Sequence, residues 1–409
     1  MQTEIKIKSD GIEIGMYVSK IDRPWMELPV MLEGMMVNSE EDVEMFKSYC
    51  ETVYVDTSKG KTPSPMCWTS NDNQLQEIQL TEDTNNAFSQ YYTESYNTTS
   101  SLDNEIVIAQ GLYQSINEKI TASFEGLRKN NKLDMDLIQE SVITTVESTL
   151  RNPVAFRLIL ELQKQDKKSY NRSLGTSVWC AQIGRQLGLK KEQIYQLAMG
   201  GMLLDIGKIK LPLDLLHKTE KLNEQEMNIV RSHVDEGIHI LVKQDDVPHT
   251  VMRMVATHHE RFDGSGYPER LQGEGIPLYG QIAGLADCFD AMISSRPYVE
   301  NIHSPHEAIS DLYNLRGTLF SADLLDQFIQ TVGVYPAGSL VELQTGEVGL
   351  VFSFNPEKRL RPIVLIVLDS EKQYVDNYYQ LDLSQKTQLS IKQTLPRGAY
   401  DIDLSEIIL

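Results

Sequence analysis

Apolar positions along this chain change their spacing three times. Up to residue 57 they alternate in short runs (residues 4–7, Tyr17–Ile21, Thr52–Asp56) broken by Asp-Gly and Gly turns. A period of two punctuated by turn residues predicts a small β-rich N-terminal domain over 1–57. Residues 58–100 then fill with Thr, Ser, Asn, Gln and Glu, with Pro63 and Pro65 near the start. That stretch has too few apolar residues to form a core, and it reads as a polar linker. From 101 to 151 the apolar positions return at helical spacing (Ile106, Leu112, Ile116, Ile120, then Leu137, Val142, Val146, Leu150), which predicts a helical connector. The helical pattern persists from 152 to 333. Beyond 334, residues 339–343, 349–354 and 363–369 read as strands around a Thr345-Gly346 turn, a short C-terminal β extension with a tail. The fold class expected is α+β and multidomain, with an all-α bundle as the main domain.

Within that bundle, Val178, Ala181, Gln182 and Arg185 suit one amphipathic helix, and Leu197, Gly201, Leu204 and Asp205 share a face of the next. Asn223 followed by Glu226 has the form of an N-cap with an acidic third residue, opening a helix ahead of the one that carries His233.

Composition narrows the function classes. The chain has 409 residues, 41% apolar and 23% charged, which suits two or three globular domains. A formal charge of −20 argues against general binding to nucleic acid or an anionic membrane. An anionic ligand would need a metal or a few placed cations. Cys50, Cys67, Cys180 and Cys288 are widely spaced with no C-x-x-C pair, as expected of reduced thiols in a cytoplasmic protein. The N-terminus lacks a basic region followed by an apolar one, and the most apolar run, residues 363–368, is too short to span a bilayer.

The chemistry concentrates in residues 257–268, T-H-H-E-R-F-D-G-S-G-Y-P. His258 and His259 sit at the end of a predicted helix before a glycine-rich loop, where adjacent side chains can turn toward one centre. Asp205 and His233 fall on the two preceding helices, and Asp287 and Asp290 one turn apart on the following one. Imidazoles and carboxylates converging from successive helices are how bundles build metal sites. Any one of these residues is more often a buried polar group satisfied by hydrogen bonds, but the whole set is better explained by a metal. Lys208 and Arg296 each read either as an anion clamp or as a solvated surface charge.

Residues from about 168 to 328 resemble the HD-GYP family, a branch of the HD metal-dependent phosphohydrolases. The resemblance rests on D-I-G-K-I (205–209), S-H-V-D-E-G (232–237), H-H-E-R-F-D-G-S-G-Y-P (258–268), I-P-L-Y-G-Q-I (276–282), A-D-C-F-D-A-M (286–292) and S-R-P-Y (295–298). Residues 5–56 resemble the small domain of unknown function that often precedes such modules. The resemblance implies an HD-type bundle and hydrolysis of cyclic di-GMP, or of the mixed GMP–AMP cyclic dinucleotide, in bacterial signalling. It also implies iron or manganese as the metal, and diguanylate cyclases among the protein partners.

Carried over residue by residue, it makes Asp205, His233, His258 and His259 the ligands of one divalent ion, a sensible set of three nitrogens and one oxygen. Asp205 and Lys208 become the catalytic candidates, and Lys208, Arg296, Tyr267 and Arg172 the ligand-binding ones. The neighbouring ion keeps Asp205 and Asp287, but its two histidines fall at Leu204 and Arg172, and the glutamate of a third site falls at Lys168. A guanidinium stays protonated and cannot ligate. Val299, the Phe320-Ser321-Ala322 run and Arg270 depart further from the family pattern. One ion is therefore expected. Two-metal hydrolysis clamps both the attacking and the leaving oxygen, and one ion removes that clamp. Arg172 and Lys168 either stand in for the lost metals as fixed positive charges that hold a phosphate, or merely neutralise the leftover aspartates. The expectation is a degenerate module, a cyclic dinucleotide receptor or protein-interaction scaffold. A phosphodiesterase working slowly on one ion is the alternative.

Overall fold

In a computed structural model, the described residues are 4–22, 34–57, 59–61, 63, 94–163, 171–244, 246–294, 303–354, 358, 360–386, 388–404 and 407. Most of the polar linker, with Lys168, Arg296, Val299 and Cys67, lies outside them. The chain divides into two compact units, Met1–Asn86 and Ala87–Leu409.

In the first unit, β1 (Glu4–Lys8), β2 (Tyr17–Ile21), β3 (Met35–Met36) and β4 (Thr52–Asp56) form an antiparallel sheet in the order β1-β4-β2-β3. The alternating apolar positions become one buried face: Ile7, Val18, Val53 and Val55 close on Val37 and Phe46. Phe46 belongs to α1 (Glu40–Tyr49), a helix that the alternation had not announced. Its start is set by Ser39, whose hydroxyl accepts from the Asp42 N–H while the Asp42 carboxylate accepts from the Ser39 N–H. Three acidic residues in the first turn then suit the positive end of the helix dipole.

The second unit is helical, then β. Its helices are α2 (Leu102–Asn130), α3 (Met135–Arg151), α4 (Ala155–Gln163), α5 (Asn171–Gln186), α6 (Lys191–Leu203), the single turn α7 (Leu213–Leu216), α8 (Glu224–Arg231), α9 (His233–Leu241), α10 (His249–Thr257), α11 (Leu278–Met292), α12 (Pro305–Asn314) and α13 (Ala322–Val332). Asn223 caps α8 as its sequence predicts: its side chain accepts from Glu226 N–H at 2.9 Å, and the Glu226 carboxylate accepts from Asn223 N–H at 2.9 Å. At the centre, Trp179 of α5 meets Phe289 of α11 edge-on at 5.1 Å and Phe328 of α13 at 6.1 Å. Edge-to-face aromatic packing of this kind locks the helix that carries Arg172 against the helix that carries Asp287. No helix among the described residues is long and apolar enough to cross a membrane.

The C-terminal β portion is an antiparallel sheet of β5 (Leu340–Leu343), β6 (Val348–Ser353), β7 (Ile363–Leu368), β8 (Tyr374–Asp382) and β9 (Ile391–Leu395), in the order β8-β7-β6-β5-β9. The two edge strands, β8 and β9, escaped the sequence reading. They are polar and half exposed, so they lack the apolar run that marks the central three. After β9, the Arg397 guanidinium reaches α4, donating to the Glu161 carbonyl at 2.6 Å.

Candidate metal and ligand site

Asp205 lies just off the helix on which its spacing had placed it: α6 ends at Leu203, Leu204 caps it, and Asp205 opens a 3-10 turn over Ile206–Lys210. His233 is the first residue of α9, His258 is the C-cap residue just after α10 and His259 follows it. The ligating atoms of these four residues lie within 4.8 Å of one another. Two backbone features make this convergence possible. The turn after Asp205 crosses α9 so closely that a Cβ on Gly207 would collide with the His233 carbonyl and lie 2.5 Å from the Gly237 nitrogen. A Cβ on Gly266 would lie 2.5 Å from both the Glu260 Cα and the His259 carbonyl oxygen, so the loop too packs backbone on backbone.

Hydrogen bonding fixes which ring nitrogens face the centre. Nδ1 of His233 donates to the Val230 carbonyl at 2.7 Å, and Nδ1 of His258 donates to the Val255 carbonyl at 2.7 Å. With the proton on Nδ1, each Nε2 carries a lone pair. His233 Nε2 then faces Asp205 Oδ1 at 3.4 Å and His259 Nε2 at 3.2 Å. His233 Nε2 and Asp205 Oδ1 are both acceptors facing one centre, an arrangement that a cation between them would relieve. Two buried atoms in this group, His258 Nε2 and Asp205 Oδ1, have no hydrogen-bond partner. Unsatisfied buried acceptors are costly, and a shared divalent ion would satisfy both. By this test the residues fit a metal.

Electrostatics keeps the set ready to ligate. Burial pushes the His233, His258 and His259 imidazoles down, so they are neutral near pH 7; His258 is pushed to about 4. Burial raises the Asp205 carboxyl, but Lys208, Arg172 and the imidazoles outweigh it and hold the group well below the usual carboxylate range.

A stability prediction follows for the metal-free protein. His258 is fully buried, and its proton affinity drops from an unfolded value of 6.5 to about 4. Between those values the unfolded chain takes up a proton that the folded chain refuses. Its stabilising effect is complete above pH 6.5 and fades as the pH falls, by about 2 kcal/mol at pH 5 from this group alone. Denaturant unfolding of metal-free protein at pH 7.5 and pH 5 checks this; equal stabilities would refute it.

The other predicted residues separate. Asp287 lies outside the four-residue group. Its Oδ1 takes a 2.5 Å hydrogen bond from Arg172 Nη2, and Arg172 Nε is 3.9 Å from Asp290 Oδ2. Burial opposes the Arg172 charge, but Asp287, Asp205 and Asp290 more than offset it and hold its proton more firmly than usual. Burial also raises the Asp287 carboxyl, and Arg172 reverses this. Leu204, just before Asp205, is 2% exposed and offers no ligand. Lys208 Nζ pairs with Asp205 Oδ2 at 2.6 Å. Tyr267 stacks on His259 with ring centroids 4.6 Å apart, so the loop roofs the histidines.

Sequence reasoning left Glu260 without a role, and the structure supplies one. Its buried carboxylate accepts from the N–H groups of Glu269, Arg270 and Leu271 at 2.7, 3.1 and 3.0 Å, clamping the loop from within. The signal was its place directly after the histidines. Arg270 sits at φ 56°, a left-handed conformation that favours glycine.

Residues 155–324 match an HD domain, residues 4–138 a domain of unknown function (DUF3391), and residues 340–400 a KOW domain associated with HD domains. The chain is 26% identical to a cyclic di-GMP phosphodiesterase of Pseudomonas aeruginosa over 94% of its own length and 90% of the relative's. It is 40% identical to the cyclic di-GMP phosphodiesterase response regulator RpfG of Xanthomonas campestris, over 36% of this chain and 39% of RpfG. It is 33% identical to a 3'3'-cGAMP-specific phosphodiesterase of Vibrio cholerae, over 38% of this chain and 30% of that protein.

Proposed function

The chain belongs to the HD-domain family of the HD-GYP type through its residues 155–324, and from that premise we propose that it is a one-ion module of cyclic di-GMP signalling that binds a cyclic dinucleotide with little or no hydrolysis. Asp205, His233, His258 and His259 would hold the ion, iron or manganese being the metals that the family resemblance implies. A divalent ion bound there supplies a Lewis acid that polarises a phosphate oxygen.

The observation that carries the reading is the 2.5 Å bond from Arg172 to Asp287. A protonated guanidinium occupies the carboxylate that a second ion would need, and buried Leu204 gives no imidazole. Arg172, 29% exposed, retains N–H groups to offer an anion, and Lys208 adds a second positive charge on Asp205. A cyclic dinucleotide phosphate could thus be held between the ion and fixed positive charge. A second reading, slow hydrolysis on one ion, is favoured by the full-length relative, which is named a phosphodiesterase.

The test is to load the protein with Fe(II) or Mn(II), count ions per chain, and measure cyclic di-GMP binding and turnover. One ion, measurable binding and negligible turnover are expected. Arg172→Met should weaken dinucleotide binding by about tenfold or more at unchanged ion content. Unchanged affinity would reduce Arg172 to a neutraliser of Asp287, and substantial wild-type turnover would defeat the reading as a whole.

A further inference from the structure

The cations around the site are mostly committed. Arg172 is bonded to Asp287, and Lys208 to Asp205. Arg261 donates to the carbonyls of His258 and Glu260 at 3.1 and 2.8 Å. Arg253 faces Glu269 at 3.5 Å. Arg231, the last residue of α8 and two residues before His233, is different. It is exposed, and its guanidinium lies 5.2 Å from the centroid of the Tyr267 ring. Among the described residues no carboxylate pairs with it.

Its position gives this freedom a direction. Arg231 lies over Tyr267, Tyr267 stacks at 4.6 Å on His259, and His259 meets His233 at 5.0 Å. The stack runs from an exposed cation down to the candidate metal ligands. A guanidinium laid on an aromatic face is held by that contact while its N–H edge stays open, and that edge matches two oxygens of a phosphate. In a chain of net charge −20 an uncommitted cation at the mouth of the site also offsets long-range repulsion of an anion.

We infer that Arg231 is a phosphate-binding residue of this site, gripping a phosphodiester of the bound dinucleotide from the Tyr267 side. The inference rests on the reading of the chain as a cyclic dinucleotide binder. It adds a residue from a segment outside the H-H-E…G-Y-P stretch.

Arg231→Met keeps an apolar stem over Tyr267 and removes the guanidinium, while Arg231→Lys keeps charge without the planar fork. With Mn(II)-loaded protein, binding of cyclic di-GMP, linear pGpG and unphosphorylated guanosine is measured by calorimetry at two salt concentrations, alongside ion content and Tm. The expected result is a loss of about tenfold or more for both phosphorylated ligands in Arg231→Met. A smaller loss is expected in Arg231→Lys, with a shallower salt dependence in Arg231→Met and ion content unchanged. Equal affinity of wild type and Arg231→Met for cyclic di-GMP overturns the inference alone. An equal loss for guanosine also overturns it, since Arg231 would then serve the base. A wild-type protein that binds its ion but neither phosphorylated ligand overturns the receptor reading, and this inference with it.

Discussion

Replacing Leu204 and Arg172 together by histidine is expected to add a second ion and to raise cyclic di-GMP turnover by about a hundredfold or more. The two positions are the only departures from the ligand set of the second ion that the family pattern implies, since Asp205 and Asp287 are both in place. The chain positions them well: Leu204 directly precedes Asp205 at the end of α6, and Arg172 already touches Asp287 from α5. Either change alone should fail. Leu204→His by itself buries an imidazole near a guanidinium that still blocks Asp287. Arg172→His by itself removes the cation that holds the Asp287 carboxyl down and leaves two neighbouring carboxylates facing each other. The pair should therefore be strongly non-additive, and a double-mutant cycle on ion content and turnover measures this. A double variant that still binds one ion would refute the assignment of these two residues as replaced ligands. Two ions without turnover would shift the blame to substrate holding, where Val299 and the Phe320-Ser321-Ala322 run also depart from the pattern.

Legibility in the sequence followed the physics of each element. The bundle was readable because its helices bury a continuous apolar stripe, and the central strands β5 to β7 because they are apolar runs between turn residues. α1 was not, because a short acidic helix over a β-sheet carries only two buried residues, Val43 and Phe46, too few to establish a period. The histidines and Asp205 were legible as candidates because metal chemistry needs those residue types, and the structure brings their ligating atoms within 4.8 Å of one another. Arg172 was placed by its spacing, but which carboxylate it would hold depended on how α5 packs on α11, a long-range fact. Glu260 and Arg231 were missed for a related reason. One acts through backbone N–H groups up to eleven residues on. The other acts through a ring on a loop thirty-six positions away, from Arg231 to Tyr267. Neither leaves a local pattern.

Gly207 shows how much of the site is held by what a residue lacks. A methyl group there would fall onto the His233 carbonyl, with the Gly237 nitrogen only 2.5 Å away. Both are backbone atoms of α9, so no side chain can swing aside. Either the Asp205 turn or α9 must move, and that separates Asp205 from His233, now 3.4 Å apart. Gly207→Ala is therefore expected to abolish tight metal binding and to destabilise the domain by about 3 kcal/mol, at the upper end for overpacking a filled interior. Gly111→Ala is the matched comparison. Gly111 sits exposed in the middle of α2 with no atom within 4 Å of an added Cβ. There the same substitution should stabilise the protein by roughly 0.5–1 kcal/mol through helix propensity alone, with ion content unchanged. Chemical denaturation and ion counting on the two variants separate a steric requirement from a general intolerance of alanine. If Gly207→Ala keeps a full complement of metal, the close crossing of the Asp205 turn over α9 is not what assembles the site.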